Sequence, residues 1–345
     1  MAKRLAEFDY LRGMAIALIV LSHSIFLWLD GFPVLLENLL RGGTGLFVFI
    51  SGFFFHRVFM PRFNYVPFLA RKAQLIFIPF LVISFIGLGF RIAGWWWDGH
   101  PWDVVLLNCW YTIRNGFVLY PHWYIPFIML TFMMAPLHIL FANQRAIIQV
   151  LVLVLFSAVA IFMHRPASNT NFFQSLVYFT PFYLLGILCS LYSSALLLWR
   201  YYLLVISFIV VAIAAYLQSY IFIHIGNYHK HAFEFAGVDL QFIQVFFGCL
   251  LMLELCRFLK PGLVTNHLCF WAELSFPIFF IHPLFSMAVE NILQLPLAAP
   301  WVMTQSTSIA LVSTALIFIV QFYGSIAVIM LVRHLLGDRS RWMIG

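Results

Sequence analysis

The sequence predicts an all-α fold, a polytopic membrane helix bundle of about ten transmembrane helices. Three observations lead there. Apolar residues make up 64% of the 345 residues and charged residues only 9%, with 40 Phe and 11 Trp. No water-soluble core of that length needs so much apolar surface. The apolar runs are long and continuous rather than alternating, which excludes a closed β-barrel. Lys and Arg are divided unevenly between alternate connections, as oriented insertion requires.

In chain order the expected spans lie at about 11–29, 44–60, 74–94, 123–141, 146–164, 176–194, 201–223, 238–257, 268–287 and 307–332. Lys3 and Arg4 resemble the start of a signal peptide, but Asp9 and Arg12 interrupt it and no small-residue cleavage site follows. The first span is therefore expected to be retained. With a cytoplasmic N-terminus, 14 of the 19 Lys and Arg fall inside, and Arg41, Arg91, Arg114, Arg165 and Lys230 fall outside. Both termini are then expected to face the cytoplasm, and the net charge of +7 reflects this bias rather than a nucleic-acid partner. The outer segment 95–122 holds Trp95, Trp96, Trp97, Trp102, Trp110 and Tyr111, which suits a stretch lying at the headgroups and able to cover a site. No linker or repeat divides the chain, so residues 1–345 are read as a single integral-membrane domain with no additional soluble domain. The five cysteines show neither metal nor disulfide spacing.

The first span carries the most informative polar residues. Arg12 and His23 are eleven residues apart, so on a helix they share one face to within about 20°. They stand roughly 16 Å apart along the axis, about half the hydrocarbon thickness. Asp9 lies on a neighbouring part of that face and can hold the guanidinium. Ionisable groups at such depth are costly and mark functional sites.

Further along, Gly45 to Phe53 closes on Ser51-Gly52-Phe53; Arg71-Lys72 precedes Pro79; His122-Trp123-Tyr124 precedes Pro126 and Pro136; and Ser275 leads to Ile281-His282-Pro283. Together with Asp9-Tyr10-Leu11-Arg12-Gly13 through Leu21-Ser22-His23, this ordered set resembles the membrane acyltransferase 3 family. One departure is at the start of the third span, which often carries two Arg and here reads Arg71-Lys72-Ala73-Gln74.

The resemblance implies an integral-membrane enzyme of the bacterial inner membrane. Such enzymes move an acyl group, most often acetyl, from cytoplasmic acyl-CoA to a hydroxyl of an extracytoplasmic or lipid-linked sugar. Acyl-CoA (acetyl-CoA above all) is then a co-substrate, with no tightly bound cofactor and no metal. The partners are the acyl donor, a glycan or glycolipid acceptor and membrane lipids, and a homo-oligomer is compatible. His23 is expected to act as the base that takes the hydroxyl proton, a task suited to neutral imidazole. Arg12 would bind or orient the donor, and Arg57, Arg62, Arg71 and Lys72 would strengthen the donor site.

Competing readings stand beside these. Arg12 can be a topology anchor, and His23 can bond a neighbouring helix. His282 can bind acceptor, assist proton transfer or serve structure beside Pro283. Ser51-Gly52 favours close helix packing over a nucleophilic Ser. His122 and Trp123 can bind acceptor, although an aromatic belt explains Trp123 equally well. The stretch Asn227-Tyr228-His229-Lys230-His231 lacks a third firm metal ligand and reads as a loop. No Walker loop or Ser nucleophile elbow is present. The alternative function is a transporter or flippase for a polar metabolite, but no matched inverted halves are visible.

Overall fold

The computed structural model describes residues 5–25, 31–226, 228–293 and 306–345. Lys3, Arg4, the end of the first expected span and Asn227 lie outside the described residues. The architecture is a polytopic bundle of helices, as the apolar runs require. Among the described residues, seven helical stretches are long and apolar enough to cross a membrane, or up to nine if each of two bent pairs forms one span.

The first helix, α1 (Ala6–His23), is the centre of the bundle. It touches α2 (Val34–Leu40), α3 (Gly43–Phe54), α13 (Leu240–Phe258), α14 (Leu263–Glu273), α15 (Ser275–Leu293) and α16 (Thr307–Leu336). Phe8, Tyr10, Leu11, Gly13, Ala15, Ile16 and Val20 are buried, and together they are distributed around the whole helix. Surrounded by protein on all sides, α1 can carry Glu7, Asp9, Arg12 and His23 because neighbouring helices rather than lipid supply their surroundings.

Small residues let the backbones approach. A Cβ on Gly13 would stand 2.3 Å from the Leu268 carbonyl oxygen of α14. The packing of α3 against α10 (Phe172–Leu191) is equally close. A Cβ on Gly52 would meet the Tyr183 carbonyl oxygen at 2.0 Å, and one on Gly186 would meet that of Phe49 at 2.0 Å. In lipid, where apolar surface gains little by leaving its solvent, such contact is what holds helices together. Helix α3 runs on through a wide π-type turn (Phe55–Phe59), and α4 (Tyr65–Lys72) joins α5 (Ile78–Trp97) through another at Ala73–Phe77. By contrast, α9 (Ala146–Met163) buries only Gln149 and Ala160 and exposes Ile147, Val150, Leu151, Val154 and Leu155, as a lipid-facing helix does.

Two expected spans are broken. Residues 123–141 become α7 (Tyr124–Met133) and α8 (Ala135–Ala142), bent by 57°, while 268–287 become α14 and α15, bent by 77°. In each case a proline, Pro136 or Pro277, sits in the first turn of the second helix. It has no N–H for the carbonyl four residues back, so the preceding helix ends there. The stretch 95–122 is largely helical, with α6 (Trp102–Arg114) exposing Trp102 and Trp110. At the same end of the bundle, β1 (Arg165–Pro166) pairs in parallel with β2 (His229–Lys230). There His229 donates through Nδ1–H to the Pro166 carbonyl at 2.7 Å.

If the α3–α10 contact holds the bundle together, Gly52→Ala should lower the unfolding temperature in detergent, since overpacking costs about 1–3 kcal/mol. Gly248→Ala on α13, where an added Cβ meets nothing within 4 Å, should leave it unchanged. Equal melting of the two variants would remove the contact from that role.

Candidate active site

The break between α14 and α15 organises one end of the site. Arg12 reaches it from α1 and donates through one terminal nitrogen to the Ala272 carbonyl and to Ser275 Oγ, each at 2.8 Å. A helix that stops inside a bundle leaves carbonyls without intrahelical partners, and a guanidinium carries enough donors to serve them. Ser275 Oγ–H also donates to the Ala272 carbonyl, at 2.8 Å. Asp9 and Glu273 are the acids whose charges act on Arg12. Of the guanidinium expected to bind or orient the donor, one terminal nitrogen is thus engaged with the protein.

At the other end of α1, His23 and His282 meet. Their rings lie 6° from parallel with centroids 5.3 Å apart, and His23 Nδ1 is 3.0 Å from His282 Nε2. The protons can be placed by elimination. The Ile278 carbonyl only accepts, so His282 donates to it through Nδ1–H at 3.0 Å. The Phe279 carbonyl also acts on the His282 ring. It is the carbonyl that residue 283 would normally serve, and Pro283 has no N–H. With the proton on Nδ1, His282 Nε2 is an acceptor, and His23 donates to it through its own Nδ1–H. His23 Nε2 keeps its lone pair.

That nitrogen belongs to a ring lining a cavity of about 620 Å³. Besides His23, the walls include Arg41, Tyr120, Trp123, Tyr124, Arg165 and Glu290. Arg41 comes from the turn before α3 and is ion-paired with Glu37 one helical turn away. Arg165 is carried by β1. Its guanidinium lies over the rings of Trp123 and Phe179, 5.0 and 5.8 Å from their centroids. One terminal nitrogen donates to Asn169 Oδ1 at 3.1 Å, and Asn169 Nδ2 donates to Tyr120 Oη at 2.8 Å. Burial lowers the pKa of Arg165, an effect opposed by Tyr120 and Tyr178. Burial and then the charge of Arg165 push His229 down to about 3.

The other expected residues divide into two groups. His122 and Trp123, in a short turn before α7, pack beside the histidine pair. His122 is fully buried and donates through Nε2–H to the Phe280 carbonyl at 3.2 Å, next to His282. Trp123 stacks on Phe127 and Phe179. Ser51 hydrogen-bonds Tyr124, a cavity residue. Arg57, Arg62 and Arg71 are instead exposed, at the far end of α3 and on α4. Arg71 lines a second cavity of about 600 Å³ with Gln74, Asp338, Arg341 and Trp342, the last two from α17 (Ser340–Ile344). Lys72 enters an aromatic cage, its Nζ 4.5 Å from the Phe59 and Phe132 ring centroids and 5.6 Å from that of Phe68. Sequence reasoning missed Arg41, Arg165, Tyr120, Tyr124 and Glu290 as cavity residues. The usable signal was that Arg41 and Arg165 are two of the few cations placed against the inward charge bias.

Residues 5–333 match a family model described as an acyltransferase domain. No curated protein and no solved structure matches the chain.

Two outcomes follow from this geometry. Arg12→Gln, which removes the donors serving the helix break, should lower the unfolding temperature by several degrees, and Ser275→Ala by less. An Arg12→Gln variant as stable as the parent would show that the break stands without it. For His229, the folded pKa of about 3 lies below the unfolded value of about 6.5. The unfolded chain then binds a proton first, so this group destabilises the fold as pH falls from about 6.5 towards 3. Melting curves from pH 7.5 down to 4 should fall less steeply for His229→Gln than for the parent chain.

Proposed function

We propose a reaction from one premise: this chain belongs to the acyltransferase 3 family. It is a multi-pass membrane acyltransferase. The reaction we infer is O-acyl transfer, most simply acetyl, from acyl-CoA on the cytoplasmic side of a bacterial inner membrane to a sugar hydroxyl arriving from the other side. The observation that carries this reading is the His23–His282 pair, in which His23 engages His282 through Nδ1 and its ring lines the cavity.

In the proposed step, His23 Nε2 takes the acceptor's hydroxyl proton as the oxygen attacks the thioester carbonyl. The tetrahedral intermediate collapses with cleavage of the C–S bond, and the proton passes from His23 to the departing CoA sulfur. Transfer is direct, with no acyl-enzyme. His282 is a positioning residue. It holds the proton of His23 on Nδ1, and its own bond to Ile278 fixes it in the accepting tautomer.

Arg12 supports the same geometry from below, because it ties α1 to the start of the helix that carries His282. Its bonds to Ala272 and Ser275 favour this positioning role over direct phosphate contact. Donor phosphates are assigned to the opposite end, to Arg71 and the cavity it shares with Arg341, with exposed Arg57 and Arg62 adding to the field. Lys72, caged by three Phe rings, contributes charge rather than a direct contact. The bias of basic residues supports both termini lying in the cytoplasm. The aromatic walls formed by Tyr120, Trp123 and Tyr124 suit the apolar face of a sugar ring.

The reaction is checked with purified protein in lipid nanodiscs, acetyl-CoA and cell-envelope glycans, following release of the CoA thiol and the acetyl mass on glycan. His23→Ala should lower the rate by about 10²–10⁴-fold. His282→Ala should lower kcat more than it raises the KM for acetyl-CoA. Parent-level transfer by His23→Ala would sink the base role, and no transfer to any envelope glycan would sink the acceptor class.

A further inference from the structure

We propose that the acceptor is an anionic sugar, and that Arg165 binds its carboxylate or phosphate group beside His23. This rests on the acyltransferase reading above and names the substrate class of the same cavity.

Arg165 has the marks of a cation built to receive a ligand. A purely structural buried arginine is satisfied by a carboxylate or by a full set of acceptors. Here Nε is buried without a hydrogen-bond partner, and one terminal nitrogen is taken by Asn169. Among the described residues no carboxylate forms an ion pair with Arg165. Asp239 is the acid whose charge reaches it, but that carboxylate already accepts from Tyr178 Oη at 2.9 Å and from the Phe242 amide at 2.8 Å.

The surroundings point the same way. Arg165 and Arg41 line one cavity and act on each other as like charges. Arg41 is compensated by Glu37 on the preceding helix, and Glu290 acts on Arg91. Among the described residues Arg165 has no carboxylate in contact, only Asp239 acting at longer range, so an incoming anion would be its first directly bonded counter-ion. The guanidinium also lies over the rings of Trp123 and Phe179, and its hydrogen bond to Asn169 is steadied in turn by Tyr120. A fixed planar fork is the shape that binds a carboxylate or phosphate through two parallel bonds. Tyr120 and Trp123 belong both to this support and to the cavity wall that would face the sugar ring. The anion is assigned to the acceptor because the basic cavity around Arg71 and Arg341 lies elsewhere, with residues of the opposite, inward-biased set.

The test measures binding without catalysis. Protein in neutral-lipid nanodiscs is titrated at low salt with methyl β-glucuronide, glucose 1-phosphate and methyl β-glucoside, using saturation-transfer NMR. At least one anionic probe should bind about tenfold or more tightly than the neutral glucoside, and the carboxylate and phosphate arms identify which group is preferred. Arg165→Gln should abolish that preference. Arg165→Lys, which keeps the charge but not the fork, should retain part of it. Arg114→Gln, at an exposed site, should keep all of it. Equal binding of charged and neutral probes, no binding of either anionic probe, or a full preference in a folded Arg165→Gln variant would each overturn the proposal. His23→Ala separates the two claims. Anion preference retained there alongside parent-level acyl transfer removes the base but leaves the anion site, whereas lost transfer with no anion preference in the parent removes only the anion site.

Discussion

The hydrogen bond between His23 and His282 depends on a constraint that runs through the whole bundle. Buried polar groups must be satisfied by protein, because lipid offers them nothing. Helix α1 meets this at both ends with one partner region. Arg12 serves the carbonyl and hydroxyl exposed where α14 stops, and His23 bonds the imidazole seven residues further along α15. Two contacts along one helix fix both its height and its rotation. The small residue at Gly13 brings α1 close to α14, beside those contacts.

Much of this was legible in the sequence, though unevenly. The continuous apolar runs gave the helical membrane class, since no other architecture uses them. The eleven-residue spacing put Arg12 and His23 on one face, because helical geometry alone decides that. The partners of that face were not readable. Ser275 and His282 lie about 260 residues away, and only packing brings them to α1. The breaks at residues 134 and 274 were half visible. Pro136 and Pro277 were there to be seen, but a proline in a membrane helix can kink a span or begin a new one, and neighbouring contacts decide which.

The basic residues show a similar division. Counting charges groups Lys72 with Arg71 at an anionic site. The fold separates them, turning Arg71 towards a cavity and Lys72 into a cage. Phe59 and Phe68 are near Lys72 in sequence, but Phe132 closes the cage from another helix. Arg165 is the reverse case. It sits in a short strand with no periodicity to mark it, and it gains its meaning from Trp123, Phe179 and Asn169, which arrive from other segments. A topology rule identified it only as an exception.

Pro283 has a consequence for how this chemistry can vary. Lacking an N–H, it leaves the Phe279 carbonyl open to the ring of the residue before it, so the orientation of His282 is largely set within one turn of α15. The histidine pair is therefore carried entirely by α1 and α15, while Arg41, Tyr120 and Arg165 come from turns and a short strand at the rim. The rim nonetheless reaches the pair, since Tyr120 lies edge-on to His23 with ring centroids 6.5 Å apart. In the proposed reaction the two helices would then set the proton transfer, while turns and a short strand would set what the cavity admits.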